Sequence, residues 1–338
     1  MDTVILTDGW ELVRESSGEV YPARLPCDTF SCLLENGVIP DPYSDRNELK
    51  VQWVGRENWI LRTSFSIEKN FLNGRFVFLF LDFADTFADV VLNDVSIGRT
   101  GNMFRRYRFR ADEYLAEGRN TIEIRFESSE KEALERLNRL PYPIPHTVYP
   151  VQAMGRNLIR KAQCHAGWDW GPCLMVSGIY EDLRLISTPC EFIEYVHTDF
   201  TKNGNQWDLA VSIELYTECG GTIGINAECA GSAASMSIDL RPGFQTAVAH
   251  LTVDNPELWW PAGFGDQTRY ELKVKTDHDK YIHKVGFRTI EVLTEEDDHG
   301  RGMVFRVNGK DIFCKGSNWI PMDAMPGRYS SSRYEELL

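Results

Sequence analysis

The clearest chemical signal in the sequence is the run Gly167–Pro172, which places Trp168, Asp169 and Trp170 between residues that favour turns. Glycine and proline at its ends predict a tight loop. Indole rings stack on the apolar C–H face of a pyranose, and a carboxylate accepts hydrogen bonds from adjacent hydroxyls. The loop therefore suits a sugar-binding site. A pair of core tryptophans with Asp169 as a turn former explains the same residues, and both interpretations stay open at this point.

Other candidate chemistry is weak. Cys164 and His165 are adjacent, but neighbouring side chains of a strand point to opposite faces, which argues against a nucleophile and its base. The acidic run Glu295–His299 precedes Gly300 and is typical of a solvated turn rather than a metal site. The sequence has no phosphate loop, no H-E-x-x-H, no G-x-S-x-G and no dinucleotide fingerprint. We therefore expect no metal and no cofactor.

The elements that would position the loop are mainly strands. The continuous apolar run Phe76–Phe83 predicts a buried strand. Asn93-Asp94 within Asp89–Ile97 predicts a hairpin turn, and Thr121–Phe126 alternates as a half-buried strand does.

A short helix and an irregular segment follow these strands. Ser129 and Glu132 have the spacing of a capping box and predict the start of the helix. Prolines then exclude regular structure and predict an extended surface loop; they are Pro141, Pro143, Pro145 and Pro150.

A second β-rich block follows Pro189. Alternation over Trp207–Leu215, Ala247–Val253 and Tyr270–Val274 predicts short half-buried strands. Several such strands within roughly 100 residues favour an immunoglobulin-like sandwich.

The last segment has a different pattern. Asn308-Gly309 between apolar runs predicts a hairpin. Ser330–Ser332 precede residues that form helices well, so a helix is expected to begin there.

Composition narrows the class of protein. The 338 residues predict two or three domains, and 43% hydrophobic with 25% charged residues exclude general disorder. The net charge of −14 argues against a nucleic-acid surface. No apolar run reaches the roughly 18 residues that a membrane helix needs. The 12% aromatic content is typical of β-sandwiches and of sugar-binding surfaces.

The cysteines and the N-terminal residues indicate the cellular compartment of the protein. None of the 8 cysteines forms a C-x-x-C or a zinc-binding spacing, so buried, reduced thiols are expected. The sequence shows no secretory leader, which predicts a cytoplasmic protein unless a leader has been removed.

The G-W-D-W-G-P loop resembles the signature of the β-mannosidases of glycoside hydrolase family 2. Further segments match in the order expected, and the resemblance extends over essentially the whole chain. These segments are Pro22–Pro26, Asn36–Pro42, Val51–Gly55, Trp59–Phe65, Asp85–Asn93, Gly101–Arg105, Glu257–Pro261, Gly286–Thr289 and Lys315–Pro321. The tryptophan loop together with Asn318–Pro321 points to the mannosidase branch.

The resemblance implies an all-β architecture in three parts. Residues 1–188 would form a jelly-roll domain like those that bind galactose, and residues 189–290 an immunoglobulin-like sandwich. Residues 291–338 would hold the first strand and the start of the first helix of a truncated TIM barrel, since a barrel needs about 250 residues.

The resemblance also implies a mechanism. Family members retain anomeric configuration, with an acid/base glutamate and a nucleophilic glutamate about 5–5.5 Å apart at the ends of barrel strands. The acid/base glutamate follows an asparagine in the family. Asn47-Glu48 is the only such pair here and lies in the first domain. We therefore expect no catalytic residue within these 338 residues, and no hydrolysis by them alone.

The expected ligand is a mannose-terminated oligosaccharide. By the resemblance, Asp169 binds sugar hydroxyls and Trp168 and Trp170 wall the subsite. Asn318 and Trp319 would end the first barrel strand and line the barrel mouth, although packing explains Trp319 equally well. Other family 2 specificities (β-galactosidase, β-glucuronidase, exo-β-glucosaminidase) and a stand-alone carbohydrate-binding module are the alternatives. The oligomeric state and the aglycone preference stay open.

Overall fold

The structure, a computed structural model, describes residues 1–146 and 148–338, which form two compact units. The first unit contains Asp2–Ser187 and Ile320–Leu338, and the second contains Met1 and Thr188–Trp319. Each unit has its own apolar core. The all-β prediction is confirmed, because strands dominate both units.

The strands of the first unit form three sheets among the described residues. They are β1 (Asp2–Leu6), β2 (Trp10–Arg14), β3 (Val20–Ala23), β4 (Cys27–Asp28), β5 (Trp59–Ile67), β6 (Phe76–Leu81), β7 (Ala84–Asp85), β8 (Ala88–Leu92), β9 (Val95–Thr100), β10 (Tyr107–Arg110), β11 (Gly118–Phe126), β12 (Gly178–Ile179) and β13 (Leu183–Thr188). The sheet orders are β3-β2-β5-β11-β8-β9, β1-β13-β6-β10 and β4-β12-β7. The two larger sheets enclose the core, to which β5, β6 and β11 all contribute buried side chains. This arrangement is a β-sandwich.

The first unit also contains short helices. They are α1 (Thr29–Glu35), α2 (Asn47–Lys50), α3 (Trp53–Arg56), α4 (Lys69–Leu72), α5 (Ser129–Asn138) and α6 (Ser331–Leu337), with 3-10 turns at Arg156–Leu158, Gln163–Ala166 and Pro326–Arg328. The predicted capping box is wrong by one residue: Ser128, not Ser129, caps α5 and accepts a hydrogen bond from the Lys131 amide at 3.2 Å. The Ser128 hydroxyl is held in place because it also donates to the Gly55 carbonyl at 2.6 Å.

The second unit is also a sandwich. Its strands are β14 (Glu191–Asn203), β15 (Gln206–Thr217), β16 (Gly221–Cys229), β17 (Ser232–Leu240), β18 (Gly243–Asp254), β19 (Tyr270–Lys275), β20 (Lys280–Val285), β21 (Ile290–Leu293), β22 (Glu296–Asp297), β23 (Gly300–Arg301), β24 (Val304–Val307) and β25 (Lys310–Ile312). The sheets β14-β15-β18 and β17-β16-β19-β20 supply its core, and β21-β24-β25 and β22-β23 are separate small sheets. The predicted alternation over Trp207–Leu215 is confirmed, with Leu209, Val211 and Ile213 buried.

A disulfide corrects the expectation of reduced thiols. Cys190 and Cys219 are bonded, with their Cα atoms 5.6 Å apart. The antiparallel pairing of β14 with β15 puts Glu191 opposite Thr217, and this register brings the two cysteines together just beyond the strand ends. The remaining cysteines are free thiols: Cys27, Cys32, Cys164, Cys173, Cys229 and Cys314.

Two further findings concern the expected first barrel strand and membrane-spanning helices. Residues 313–320 form no regular secondary structure, so Asn318 and Trp319 lie in irregular chain rather than at the end of a strand. A barrel strand pairs with neighbouring strands, and among the described residues no strand pairs with this segment. Among residues 1–146 and 148–338, no helix has the length and apolar character required to cross a membrane.

Candidate functional site

The tryptophan loop is fixed at its start by backbone contacts. The Arg156 guanidinium donates to the Gly167 carbonyl at 2.8 Å, and the Ala153 amide donates to the Ala166 carbonyl at 2.9 Å. Gly167 has a φ of +104°, and a Cβ there would lie 2.4 Å from the Val151 carbonyl oxygen. Only glycine fits this turn, because a side chain would meet both backbone strain and a steric clash.

The end of the loop is held by two side chains from the α2–α3 region. Glu48 accepts a hydrogen bond from the Cys173 amide at 2.6 Å, and Gln52 donates to the Cys173 carbonyl at 2.8 Å. Glu48, the glutamate that follows Asn47, therefore orders the backbone of the loop.

The two indoles of the loop stack on each other. The ring centroids of Trp168 and Trp170 are 5.2 Å apart and the planes are inclined by 8°. Trp168 is half-buried, whereas Trp170 is 57% exposed. Asp169, between them in sequence, is exposed. The loop thus presents an aromatic surface to solvent instead of burying it.

This aromatic surface borders a cavity of about 350 Å³, which we term the first cavity. Its lining residues all belong to the first unit. They are Tyr43, Cys164, His165, Trp168, Trp170, Gly171, Pro172, Ile320, Pro321, Met322, Asp323, Ala324, Arg328 and Arg333. Asp169 is not among the described residues that line this cavity. The structure therefore brings Trp168 and Trp170 to the cavity, while Asp169 remains at the surface nearby.

Another wall of the first cavity is a turn organised around Asp323. The Tyr43 hydroxyl donates to the Asp323 carboxylate at 2.7 Å and accepts a hydrogen bond from the Ala324 amide at 2.7 Å. Arg328 forms an ion pair with the same carboxylate at 3.3 Å. Charged and hydroxyl groups thus line the first cavity together with the indoles.

A second contact anchors this wall to the sandwich. The Gly327 amide donates to the Asp28 carboxylate at 2.9 Å, and a Cβ on Gly327 would lie 2.5 Å from the Asp28 nitrogen. Asp28 also caps α1 by accepting from the Phe30 and Ser31 amides, each at 2.9 Å. Burial raises the pKa of the Asp28 carboxyl to about 6, and these donors only partly oppose that effect.

A buried polar cluster adjoins His165, just before the loop in the sequence. Asp85 forms an ion pair with Lys161 and accepts a hydrogen bond from the Tyr180 hydroxyl at 2.6 Å. Lys161 also donates to the Val176 carbonyl at 2.6 Å. The His165 Nδ1 atom lies 3.6 Å from the same Asp85 carboxylate.

The charges of this cluster are set by burial and by mutual attraction. Burial acts to raise the pKa of Asp85, but Lys161 and His165 hold it well below its ordinary value, so the carboxylate is ionised. Burial and the Lys161 charge lower the pKa of His165, which is neutral at pH 7. Burial raises the pKa of the Cys164 thiol, which makes it a weak nucleophile. Cys164 and His165 lie in a 3-10 turn and not in a strand, the geometry used above to argue against their pairing.

A second cavity, of about 540 Å³, adjoins the same cluster. Its lining includes Tyr180, Glu181, Phe83 and Tyr329. Cys164, His165 and Pro321 line both cavities.

The predicted site residues therefore fall into two groups. Trp168, Asp169 and Trp170 lie in one loop of the first unit. Asn318 and Trp319 belong to the second unit, where both are exposed in irregular chain. The substrate contacts of all five stay predictions. The described residues contain no cluster of three or more His, Cys, Asp or Glu side chains that could hold a metal ion.

Sequence reasoning missed the other polar residues of the first cavity, namely Tyr43, His165, Asp323, Arg328 and Arg333. No local pattern could have found Tyr43 and Asp323 together, because 280 positions separate them. His165 directly precedes the tryptophan loop in the sequence, but it belongs to no known motif, so the sequence assigns it no function.

Comparison with known proteins defines the class of protein. The profile described as glycosyl hydrolase 2 galactose-binding domain-like matches residues 10–181, and that of glycosyl hydrolases family 2 matches residues 193–288. The chain belongs to glycoside hydrolase family 2.

The relatives of this chain include β-mannosidases. The chain is 32% identical to β-mannosidase of Capra hircus and 34% identical to β-mannosidase B of Aspergillus terreus, over 99% and 98% of its own length. It spans 40% of the length of each of these relatives.

Solved structures agree with this family. The β-D-mannosidase of Dictyoglomus thermophilum superposes with a TM-score of 0.94 at 32% identity, over 100% of this chain and 42% of that protein. An exo-chitosanase of Amycolatopsis orientalis, at 19% identity and a TM-score of 0.78 over 98% of this chain and 38% of that protein, shares the fold.

Proposed function

We propose that the chain forms the N-terminal, non-catalytic portion of a retaining, exo-acting β-mannosidase that hydrolyses terminal non-reducing β-D-mannose residues. Relatives named as β-mannosidases, at 32% and 34% identity over nearly the whole chain, support this proposal. In it, two glutamates of a barrel domain outside the 338 residues perform the chemistry, and this chain supplies part of the subsite for the terminal sugar.

The observation that carries the proposal is the stacked pair Trp168 and Trp170 at the rim of the first cavity. A large aromatic side chain that is 57% exposed, as Trp170 is, suits a surface that contacts a ligand. The apolar face of a pyranose matches an indole face, while its hydroxyls match the polar groups that line the same cavity. Asp169, exposed on the same loop, is proposed to accept hydrogen bonds from sugar hydroxyls.

One observation favours a second candidate, a carbohydrate-binding module. The lining of the first cavity comes entirely from the first unit, so a sugar has a complete set of neighbours there. A module binds its glycan without help from another domain, whereas part of an enzyme subsite binds a free sugar weakly. Other family 2 specificities differ from the main proposal only in the sugar that is cleaved.

The decisive experiment compares aryl glycosides. We expect the complete gene product to hydrolyse an aryl β-D-mannoside with net retention, in preference to the corresponding β-galactoside, β-glucuronide and β-glucosaminide. The 338-residue chain alone should release no aryl alcohol. In the complete product, Trp170→Ala and Asp169→Ala should each lower kcat/KM for the mannoside about tenfold or more, as loss of a sugar contact does.

Phe244→Ala is the matched control, because Phe244 is also an exposed aromatic side chain (68%) but lies in the second unit. It should leave kcat/KM unchanged. Preferential cleavage of another glycoside would overturn the mannosidase assignment. Micromolar binding of mannose by the 338-residue chain, measured by calorimetry, would favour the binding module instead.

A further inference from the structure

His165 is a buried imidazole that nevertheless borders open space. Its exposed fraction is 4%, yet it lines both the first and the second cavity. The 3-10 turn Gln163–Ala166 fixes its backbone, with the His165 amide donating to the Ala162 carbonyl at 3.2 Å. The backbone of His165 is therefore fixed at the base of the loop that carries Trp168, and its side chain is buried there.

The buried cluster sets the orientation of this ring. Its Nδ1 atom lies 3.6 Å from the Asp85 carboxylate and has no hydrogen-bond partner within the described part of the chain. A nearby carboxylate favours the tautomer with the proton on Nδ1. With the proton on Nδ1, the other ring nitrogen, Nε2, carries the lone pair and is the acceptor.

Lys161 and Tyr180 hold the Asp85 carboxylate beside the imidazole of His165. Both engage its carboxylate, so the carboxylate is charged and immobile beside the ring. His165 is itself neutral at pH 7, because burial and the Lys161 charge lower its pKa. A neutral imidazole with a free Nε2 lone pair is a hydrogen-bond acceptor.

We propose that His165 is a sugar-binding residue of the first cavity, where its Nε2 atom accepts a hydrogen bond from a ligand hydroxyl. This inference rests on the proposed function, since it assumes a glycoside in that cavity. Arg328 and Arg333 line the same cavity and retain N–H donors beyond their ion pairs with Asp323 and Glu336. The cavity thus offers an aromatic face, donors and an acceptor, which together match a polyhydroxylated ring.

Nitrogen-detected NMR on the 338-residue chain tests the inference. Methyl β-D-mannopyranoside is titrated into the ¹⁵N-labelled chain, and the indole signals of Trp168 and Trp170 are followed with the imidazole signals of His165. Trp168→Phe, Trp170→Phe and His165→Gln assign these signals. We expect the His165 Nε2 resonance to move with the same Kd as the indoles, in the direction of an accepted hydrogen bond.

Two variants separate hydrogen bonding from packing. His165→Leu removes the acceptor and should raise the Kd of the sugar roughly three- to tenfold, the effect of losing one neutral hydrogen bond. His165→Gln keeps an acceptor and should stay within about twofold of the parent. The backbone amide spectrum of each variant verifies that the fold is retained, and the titration of the parent stands by itself if His165→Leu fails to fold.

The outcomes are distinguishable. Movement of the indoles without movement of the His165 nitrogens would overturn this inference and leave the proposed function standing. Absence of movement at both would overturn the role of His165, whereas the proposed function is tested separately by hydrolysis of the aryl β-D-mannoside by the complete gene product. Equal sugar affinity of His165→Leu and the parent would also overturn the inference.

Discussion

Asp28 illustrates how one side chain can serve two separate parts of the chain. One of its oxygens caps α1, and the other holds Gly327 of the distant wall of the first cavity. The carboxylate accomplishes this in full burial, at 1% exposure. Because water is excluded, the charged form is disfavoured, and the pKa rises from 3.8 to about 6.

This shift predicts a specific dependence of stability on pH. A raised carboxyl pKa means that the folded protein binds the proton more tightly than the unfolded chain does. The resulting stabilisation is complete below about pH 4 and is lost as the pH rises through about 6. The loss amounts to about 3 kcal/mol, at 1.36 kcal/mol for each pKa unit.

Asp28→Asn should remove this dependence. The amide that replaces the carboxyl cannot ionise, so from pH 4 to pH 8 the variant should gain about 3 kcal/mol of unfolding free energy relative to the parent. Its absolute stability is expected to be lower, since an amide nitrogen facing the Gly327 amide loses one hydrogen bond. Chemical denaturation across this pH range measures the effect, and Asp45→Asn at an exposed position controls for net charge. Parallel curves for Asp28→Asn and the parent would contradict the prediction.

At the residue scale, the sequence identified the part of the site that is local. Trp168 and Trp170 were recognised because residues that favour turns surround them. Asp28 and Asp323 were not, because each acquires its role from a partner about 280 or 300 positions away. Such partners are set by tertiary packing, which cannot be predicted from composition or periodicity.

The tryptophan loop is an element whose shape depends on its first glycine. Gly167 combines a φ of +104° with no room for a Cβ, whereas a Cβ on Gly171 meets nothing within 4 Å. The two glycines bracket the same pair of indoles and so form a natural matched pair for mutagenesis.

Gly167→Ala should destabilise the first unit by roughly 1–3 kcal/mol and disturb the stacking of Trp168 on Trp170. Gly171→Ala should change neither property by more than about 0.5 kcal/mol. Thermal unfolding and near-ultraviolet circular dichroism of the indoles measure the two effects. If both variants behave alike, then the loop does not depend on the backbone conformation of Gly167.

Elements with a clear period were predictable, and elements that depend on neighbours were not. The alternation of Ile122, Ile124 and Phe126 matches their burial in β11. The disulfide and the irregular segment 313–320 were missed for a shared physical reason. A bond between Cys190 and Cys219 requires the register of β14 with β15, and a strand over 313–320 requires adjacent strands to pair with.

At the scale of the whole molecule, the disulfide should stabilise one unit only. It closes a loop of 29 positions in the second unit, for which restriction of the unfolded chain contributes about 3–4 kcal/mol. The Cys190→Ser/Cys219→Ser variant should therefore show faster hydrogen exchange in β15, with exchange in β11 of the first unit unchanged.

Cys314→Ser is the matched control, because Cys314 is an exposed free thiol. It should leave exchange in both units as in the parent. Alkylation of the unreduced, denatured chain should spare Cys190 and Cys219. Modification of these two cysteines without a reductant would contradict the assignment of the bond.

The architecture of the whole chain was predicted well, since the order of the motifs spans nearly the full sequence and resembles a known family. The path of the final segment was not predicted. Residues 320–338 return to the first unit, where Asp28 and Tyr43 hold them. No pattern within those residues specifies that destination.

This return has a consequence for the connectivity of the molecule. The first unit is assembled from two stretches of chain, Asp2–Ser187 and Ile320–Leu338, and the second unit is inserted between them. A protease that cuts within Thr188–Trp319 would sever the polypeptide yet leave both stretches of the first unit joined by the contacts of Gly327 and Ala324. The first unit therefore corresponds to a split protein, whose two fragments are joined by a folded linker, the second unit.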